Sequence, residues 1–371
     1  MRELFHIPPA EFTREDPADL LAAGLGATLY LPAVRPSLAA DIARCQARGV
    51  LSMICCLEDA VRDCEVAAAE HHLVAQLRRF AAVRTDLGAD GDLAQGPLLF
   101  VRVRAAEQIY RIAEGLGPAL GVLSGFVLPK FQRDEASLAS LTAIREVAAA
   151  SVHRLHAMPI LESPAVAHGE DRHAALLDIR RVLDAHRDLV LAVRVGATDL
   201  SGVFGLRRPP DLTVWDLGVV AGALTDIINV FTRCDGTGFV VVGPVFEYFE
   251  SRDHRGSRRP AFDGLIRETQ RDLANGMLGK TVIHPDHTAA VHAVSVVAHE
   301  EYCDATAICV ETDATGGVLR SVYDNKMNEV RPHRAWAGRT LRRAAVFGVA
   351  AEGIGPADLV NVCAAERKAL V

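Results

Sequence analysis

Apolar positions in this chain fall into short continuous runs separated by longer segments of helical period. The runs are Thr28–Val34 (TLYLPAV), Val50–Leu57 (VLSMICCL), Pro97–Val103 (PLLFVRV), Gly125–Leu128, His156–Leu161, Leu189–Val195 (LVLAVRV), Gly238–Val242 and Gly279–Ile283. Short apolar runs bounded by turn residues read as strands buried on both faces. Between and after them, helical spacing covers Pro36–Arg48, Arg62–Arg84, Glu107–Leu116, Glu135–Ala150, His168–His186, Val214–Arg233, Ala261–Ala274 and Asp286–Val297. Eight strands alternating with eight helices predict an α/β fold, a (β/α)8 barrel. A doubly wound sheet would carry its glycine fingerprint after the first strand, and no GxGxxG stands there. The pattern divides the chain into an N-terminal segment (1–26), the barrel (27–299) and a C-terminal extension (300–371) that would serve as lid or oligomerisation segment.

Composition narrows the setting. The chain has 371 residues, half of them apolar, and a net charge of -7. An acidic balance gives no general case for nucleic acid. No apolar stretch reaches the ~18 residues of a membrane span. Met1–Asp19 carries mixed charge and three prolines, unlike a signal peptide. Eight cysteines show no paired CxxC spacing, and Cys55-Cys56 sit inside an apolar run. They read as reduced core residues of a cytoplasmic protein.

The candidate chemistry lies at the strand ends. Pro159–Leu161 runs into Glu162, and Val195-Gly196-Ala197-Thr198 into Asp199. A carboxylate at the end of a buried strand is costly unless paired. Two on nearby strands repel unless a cation lies between them, so Glu162 and Asp199 read as ligands of a hard divalent metal, Mg2+ first and Mn2+ as the variant. Taken singly, each reads first as an exposed loop acid or a helix N-cap; the arrangement of the other strand-end residues shifts the reading to a metal. Glu58, Arg102, Lys130 and His284 also fall at or just after strand ends, the face that carries the active site in such barrels. The basic loop Ser251–Pro260, with Arg252, His254, Arg255, Arg258 and Arg259, and the neighbouring Arg207 and Arg208 suggest a polyanionic ligand; the alternative is solvated or intersubunit salt bridges. The extension adds Lys326, Arg331, His333, Arg334, Arg339, Arg342 and Arg343.

The ordered set LYLPAVRP, CCLEDAV, FVRV, VLPK, PILES, VGATDL and GKTVIHPD resembles the CitE-like branch of the HpcH/HpaI aldolase / citrate lyase beta-subunit family, over roughly 27–291. The resemblance implies a TIM barrel, Mg2+, a homo-oligomer (dimer, trimer or hexamer) and cleavage or formation of a C–C bond next to a carbonyl, often on a CoA thioester. It makes Glu162 and Asp199 the metal ligands. It gives Arg102 a substrate carboxylate or carbonyl, Glu58 and Asp59 the metal-bound water and the orientation of Arg102, Arg35 the anionic end of the substrate, and Lys130 support of the carboxylates. Three positions depart from the family pattern: Pro32-Ala33-Val34-Arg35-Pro36, Arg104 and Ser163-Pro164. They touch the substrate side and leave the metal ligands in place.

These residues point to a Mg2+-dependent C–C lyase or aldolase acting on a small carboxylated substrate that bears phosphate or CoA. The alternatives are a malyl-CoA- or citramalyl-CoA-type lyase or thioesterase, and a non-catalytic metabolite-binding subunit. Plain structural roles stand beside each residue: a salt bridge to Glu58 for Arg102, a helix cap for Glu58-Asp59, an ion pair for Lys130, a turn for His284.

Overall fold

A computed structural model of the chain describes residues 4–86, 96–250, 260–310 and 317–361. It divides into two compact units, Thr13–Thr288 and Met1–Phe12 with Ala289–Val371. The sequence division at 27 and 300 thus has a different counterpart: the N-terminal segment splits, and its first strand belongs with the C-terminal residues.

The second unit contains β1 (Phe5–Ile7) and β12 (Val349–Ala350), paired antiparallel. Helices α12 (His299–Val310) and α13 (Val330–Phe347) share apolar contacts among Ala305, Ile308 and Ala337. A hairpin, β10 (Val318–Arg320) and β11 (Met327–Glu329), lies between them in sequence. Of the basic residues in this stretch, Lys326 pairs with Glu300 at 2.5 Å and Asp304 at 2.9 Å, and Arg343 with Glu301 at 2.6 Å. Those two are committed inside the unit.

The larger unit holds eight parallel strands: β2 (Ala27–Pro32), β3 (Ser52–Cys56), β4 (Leu98–Arg102), β5 (Gly125–Leu128), β6 (His156–Leu161), β7 (Val193–Val195), β8 (Val241–Val242) and β9 (Lys280–Val282). Their order follows the chain, and β9 returns to pair with β2, Ala27 opposite Lys280. The ring closes between β8 and β9 through the Gly243–Lys280 bridge, with Thr281 N donating to Gly243 O at 3.0 Å. The barrel expectation holds. The outer helices are α1 (Ala18–Gly24), α2 (Leu38–Ala47), α3 (Val66–Asp86), α4 (Ala106–Leu116), α5 (Glu135–Ala150), α6 (Pro164–Ala167), α7 (Gly169–Ala185), α8 (Ala197–Val203), α9 (Gly218–Phe231), α10 (Pro260–Ala274) and α11 (His287–Ser295), the last running past the unit boundary.

Local chemistry explains where elements start and stop. Asp134 caps α5, its carboxylate accepting from Ser137 N at 2.9 Å. Pro164 opens α6 at a first-turn position, and the chain leaves helical geometry at His168 before α7. One helix expected over His168–His186 is therefore preceded by a separate turn of helix. β7 and β8 are shorter than their apolar runs: outside the regular ladder, Leu191 N donates to Ala157 O at 3.0 Å, and Val240 O accepts from Val193 N at 2.8 Å.

Register fixes which side chains face the barrel axis. Thr28 lies opposite Ser52 and Thr281, Arg102 opposite Cys56 and Val127, and Arg194 opposite Ile160. Side chains two apart along a strand share a face. Met158, Ile160 and Glu162 thus line one face of β6 and its continuation.

Candidate active site

Five strand ends deliver ionisable side chains to one mouth of the barrel. Arg102, the last residue of β4, is the hub. Its Nη2 lies 2.7 Å from Glu58, 3.1 Å from Asp59 and 3.3 Å from Glu162. Burial works against the guanidinium charge, but Tyr30, Glu162 and Glu58 hold it cationic. Its Nε is buried without a hydrogen-bond partner.

Glu58 follows β3. Burial opposes its charge, yet hydrogen bonding with Asp59, the charge of Arg102 and the bond from Lys130 hold its carboxyl below the usual range. Asp59 is pushed the other way, by burial and by its hydrogen bond with Glu58.

Lys130 follows β5 with φ at 49°, a left-handed conformation rare for a side-chain-bearing residue. That geometry turns its amide to Glu162 Oε1 at 2.9 Å while Nζ reaches Glu58 Oε1 at 2.8 Å. Next to it, Phe131 N donates to Ile160 O at 3.0 Å, tying this loop to β6.

Glu162 is 4 % exposed. Burial raises its carboxyl to about 7, against Arg102 and with repulsion from Asp199. Gly196 makes room for it: a Cβ there would stand 1.9 Å from Glu162 Oε2. Asp199 lies in the first turn of α8, where the backbone N–H groups favour an acid.

These donors suit a hard cation. Four carboxyl groups, Glu58, Asp59, Glu162 and Asp199, gather here against two cations, Arg102 and Lys130, and burial with mutual repulsion disfavours charge on Glu162 and Asp59, a strain that a divalent ion would relieve. The oxygens that could hold it are those of Glu162 and Asp199. Among the described residues no group of three or more His, Cys, Asp or Glu converges as a complete metal cage. Two protein carboxylates with retained water is the coordination Mg2+ favours.

Other expected site residues fare differently. Arg35 pairs with Asp41 and is half exposed, beside the mouth strand β2. Arg207 is exposed, its guanidinium 5.9 Å from the Tyr248 ring centroid. Arg208 is 2 % exposed and bonded to Glu247, Glu268 and Val245 O. That burial corrects the expectation of a substrate contact: Arg208 belongs to an internal ion network with Lys280 and Asp272, where Lys280 Nζ lies 2.9 Å from Glu268 and 2.6 Å from Asp272. Arg255, with the rest of the basic loop 251–259, lies outside the described residues. His284 stacks on Phe249, ring centroids 5.4 Å apart. Arg104, read from the sequence only as a departure, holds the Glu58 loop. Its guanidinium donates to Leu57 O at 2.9 Å, Glu58 O at 3.0 Å and Val61 O, and pairs with Asp63. Its position two residues after Arg102 was the only signal for it.

A barrel with this acid-rich mouth defines a class, and the comparisons agree with it. The model of the C–C bond lyase family of the TIM-barrel fold matches residues 19–349, and the chain belongs to that family. Among solved structures, the chain is similar to a citrate lyase from Burkholderia xenovorans LB400 (18 % identity, TM-score 0.63, covering 90 % of this chain and 95 % of that one). It is similar to protein CitE from Mycobacterium tuberculosis in complex with magnesium, acetoacetate and coenzyme A (19 %, TM-score 0.53, 87 % and 99 %). It also resembles Haloferax volcanii malate synthase (16 %, TM-score 0.50, 75 % and 73 %). Comparison with curated protein sequences yields no match. No helix among the described residues is long and apolar enough to cross a membrane.

Proposed function

We propose that the protein is a Mg2+-dependent C–C lyase or aldolase that cleaves, or joins, a bond next to the carbonyl of a small carboxylated substrate. The observation that carries this reading is the excess of carboxyl groups over cations at the barrel mouth, centred on the buried Glu162 and its neighbour Asp199. A bound Mg2+ would supply Lewis acidity toward the substrate carbonyl. Glu162 and Asp199 would hold it, and Glu58 and Asp59 would accept hydrogen bonds from its water. Arg102 would pair with the oxygen that gains charge as the C–C bond breaks and an enolate is left. Its planar fork also suits a carboxylate. Lys130 keeps Glu58 ionised, so that Glu58 in turn orients Arg102.

The citrate lyase and CitE neighbours, one of them with magnesium, acetoacetate and coenzyme A, support this reading and make a CoA thioester the first co-substrate to try. Among the described residues, Arg207 and Arg35, the latter ion-paired with Asp41, are exposed cations that would meet its anionic end. With Arg208 buried in ion pairs, the case for a bound phosphate rests on fewer groups than the sequence offers. A homo-oligomer completes the reading, to be checked by sedimentation.

The decisive experiment is calorimetric titration of Mg2+ into wild type, Glu162→Gln and Asp199→Asn, each with and without oxaloacetate, pyruvate or acetyl-CoA. Wild type is expected to bind Mg2+ more tightly with a 2-oxo acid present, and each variant to lose the signal. Absence of binding in wild type, with or without ligand, would remove the reading and leave the metabolite-binding subunit as the alternative.

A further inference from the structure

Beneath the carboxylates a second cation points into the barrel. Arg194, the middle residue of β7, is 1 % exposed. Its guanidinium donates to Thr281 Oγ1 at 2.6 Å and Thr28 Oγ1 at 3.3 Å, and stands 3.9 Å from Met158 Sδ. Those side chains come from β9, β2 and β6, so the guanidinium lies across the barrel axis. Among the described residues no carboxylate pairs with it, and its Nε has no hydrogen-bond partner. A buried cation without a counter-charge is costly, and an apolar side chain of similar volume would pack the same space without that cost. The charge therefore asks for a use.

Tyr30 supplies one. It stands two residues beyond Thr28 on β2, on the same face, and interacts with Arg194, whose Cζ lies 5.8 Å from the ring centroid. Thr28 is fully covered, whereas Tyr30 keeps part of its surface open. Arg102 and Glu162 also act on the phenol electrostatically, Arg102 opposing and Glu162 reinforcing the rise that burial causes. Tyr30 stands two residues nearer the mouth end of β2 than Thr28, the residue that Arg194 contacts.

We infer that Tyr30, backed by Arg194, is a substrate-facing hydrogen-bond donor at the floor of the site, giving its phenol O–H to the substrate oxygen that becomes negative during C–C cleavage. The inference rests on the enolate reading above and deepens it by naming the group that meets the enolate oxygen. Arg194 touches no substrate. Its guanidinium, with Cζ 5.8 Å from the ring centroid, favours negative charge building on the phenol oxygen as the O–H is given, and it is a positioning residue.

The test compares oxalate, a planar dianion shaped like the enolate of pyruvate, with pyruvate itself. Both are titrated into Mg2+-loaded wild type and Tyr30→Phe, a change that removes one oxygen and keeps the ring. Loss of a hydrogen bond to a charged oxygen is expected to weaken oxalate about 10-fold or more, while pyruvate changes by less than about threefold. Exchange of the pyruvate methyl protons with D2O, followed by NMR, is expected to slow by about 100-fold with little change in the pyruvate concentration for half-maximal rate. Arg194→Met should move both readouts in the same direction, and adding it to Tyr30→Phe should change little more. An unchanged oxalate-to-pyruvate ratio in Tyr30→Phe, or an equal loss of both ligands, overturns the inference. If wild type with Mg2+ binds neither ligand, the enolate reading itself fails, and the role of Tyr30 with it.

Discussion

At the scale of single residues, Gly196 sets how closely β7 approaches the Glu162 carboxylate. Adding one methyl group there would meet Oε2 at 1.9 Å and the Glu162 Cβ at 2.6 Å. Gly196→Ala is therefore expected to displace the carboxylate and lower Mg2+ affinity at least about 10-fold, a cost of about 1.4 kcal/mol, measurable by the same titration. Lys130 is a second special position, with a left-handed backbone that serves two carboxylates at once. Lys130→Gly keeps that backbone without strain but removes the ammonium. Its expected signature is a folded protein with weakened substrate cleavage, seen by circular dichroism beside an activity assay. Glu162, Asp199 and Arg102 were legible in the sequence because an ionisable residue ending an apolar run needs a reason. Arg208 was misread for the same kind of reason: its partner Glu268 stands 60 positions away, and nothing in a basic loop marks which arginine turns inward.

At the scale of elements, the loop after β3 depends on Arg104. Three carbonyls of Leu57, Glu58 and Val61 accept from one guanidinium. Arg104→Met would leave them without that donor and is expected to cost about 1–3 kcal/mol of stability, read from the urea midpoint. Activity should fall more than stability, because the same loop carries Glu58. The β8–β9 seam offers a parallel case. Lys280, fully buried between Glu268 and Asp272, cannot be lost without leaving Asp272 short of its cationic partner, while Glu268 keeps Arg208. Lys280→Met is expected to destabilise by about 3–5 kcal/mol in the same assay. Strand positions were legible from apolar runs; strand lengths were less so, since β7 and β8 end where the ladder ends and not where the apolar residues do. The helix that holds Asp199 was invisible, because its seven residues are too few to show a period.

At the scale of the whole molecule, pH should act through buried histidines as well as through the mouth. Burial lowers His156 to about 4, with Arg154 adding to it, and lowers His287 to about 4, with His284 adding to it. Above about pH 6.5 both are neutral whether the chain is folded or not. Below that value the unfolded chain takes up protons that the folded chain refuses, so stability falls with pH until about 4. Each contributes about 1.4 kcal/mol per pH unit within that window. The melting temperature is expected to drop steadily from pH 6.5 to 5, and His156→Gln to lessen the slope. The barrel itself was legible from alternation alone. The division into units was not, because the pairing of β1 with β12 joins residues more than 300 positions apart and leaves no local trace.

The return of β9 to β2 has a consequence for synthesis. Ala27 waits for Lys280, a separation of 280 − 27 = 253 residues, before its open edge is covered. At roughly 5–20 residues per second, the leading strand leaves the ribosome roughly 13–50 s before its last neighbour exists. During that interval a nascent sheet with two bare edges is exposed to every other unfinished chain nearby. The demand this barrel makes on chaperones is thus set by the order of its strands, and it is greatest just before the last of them is made.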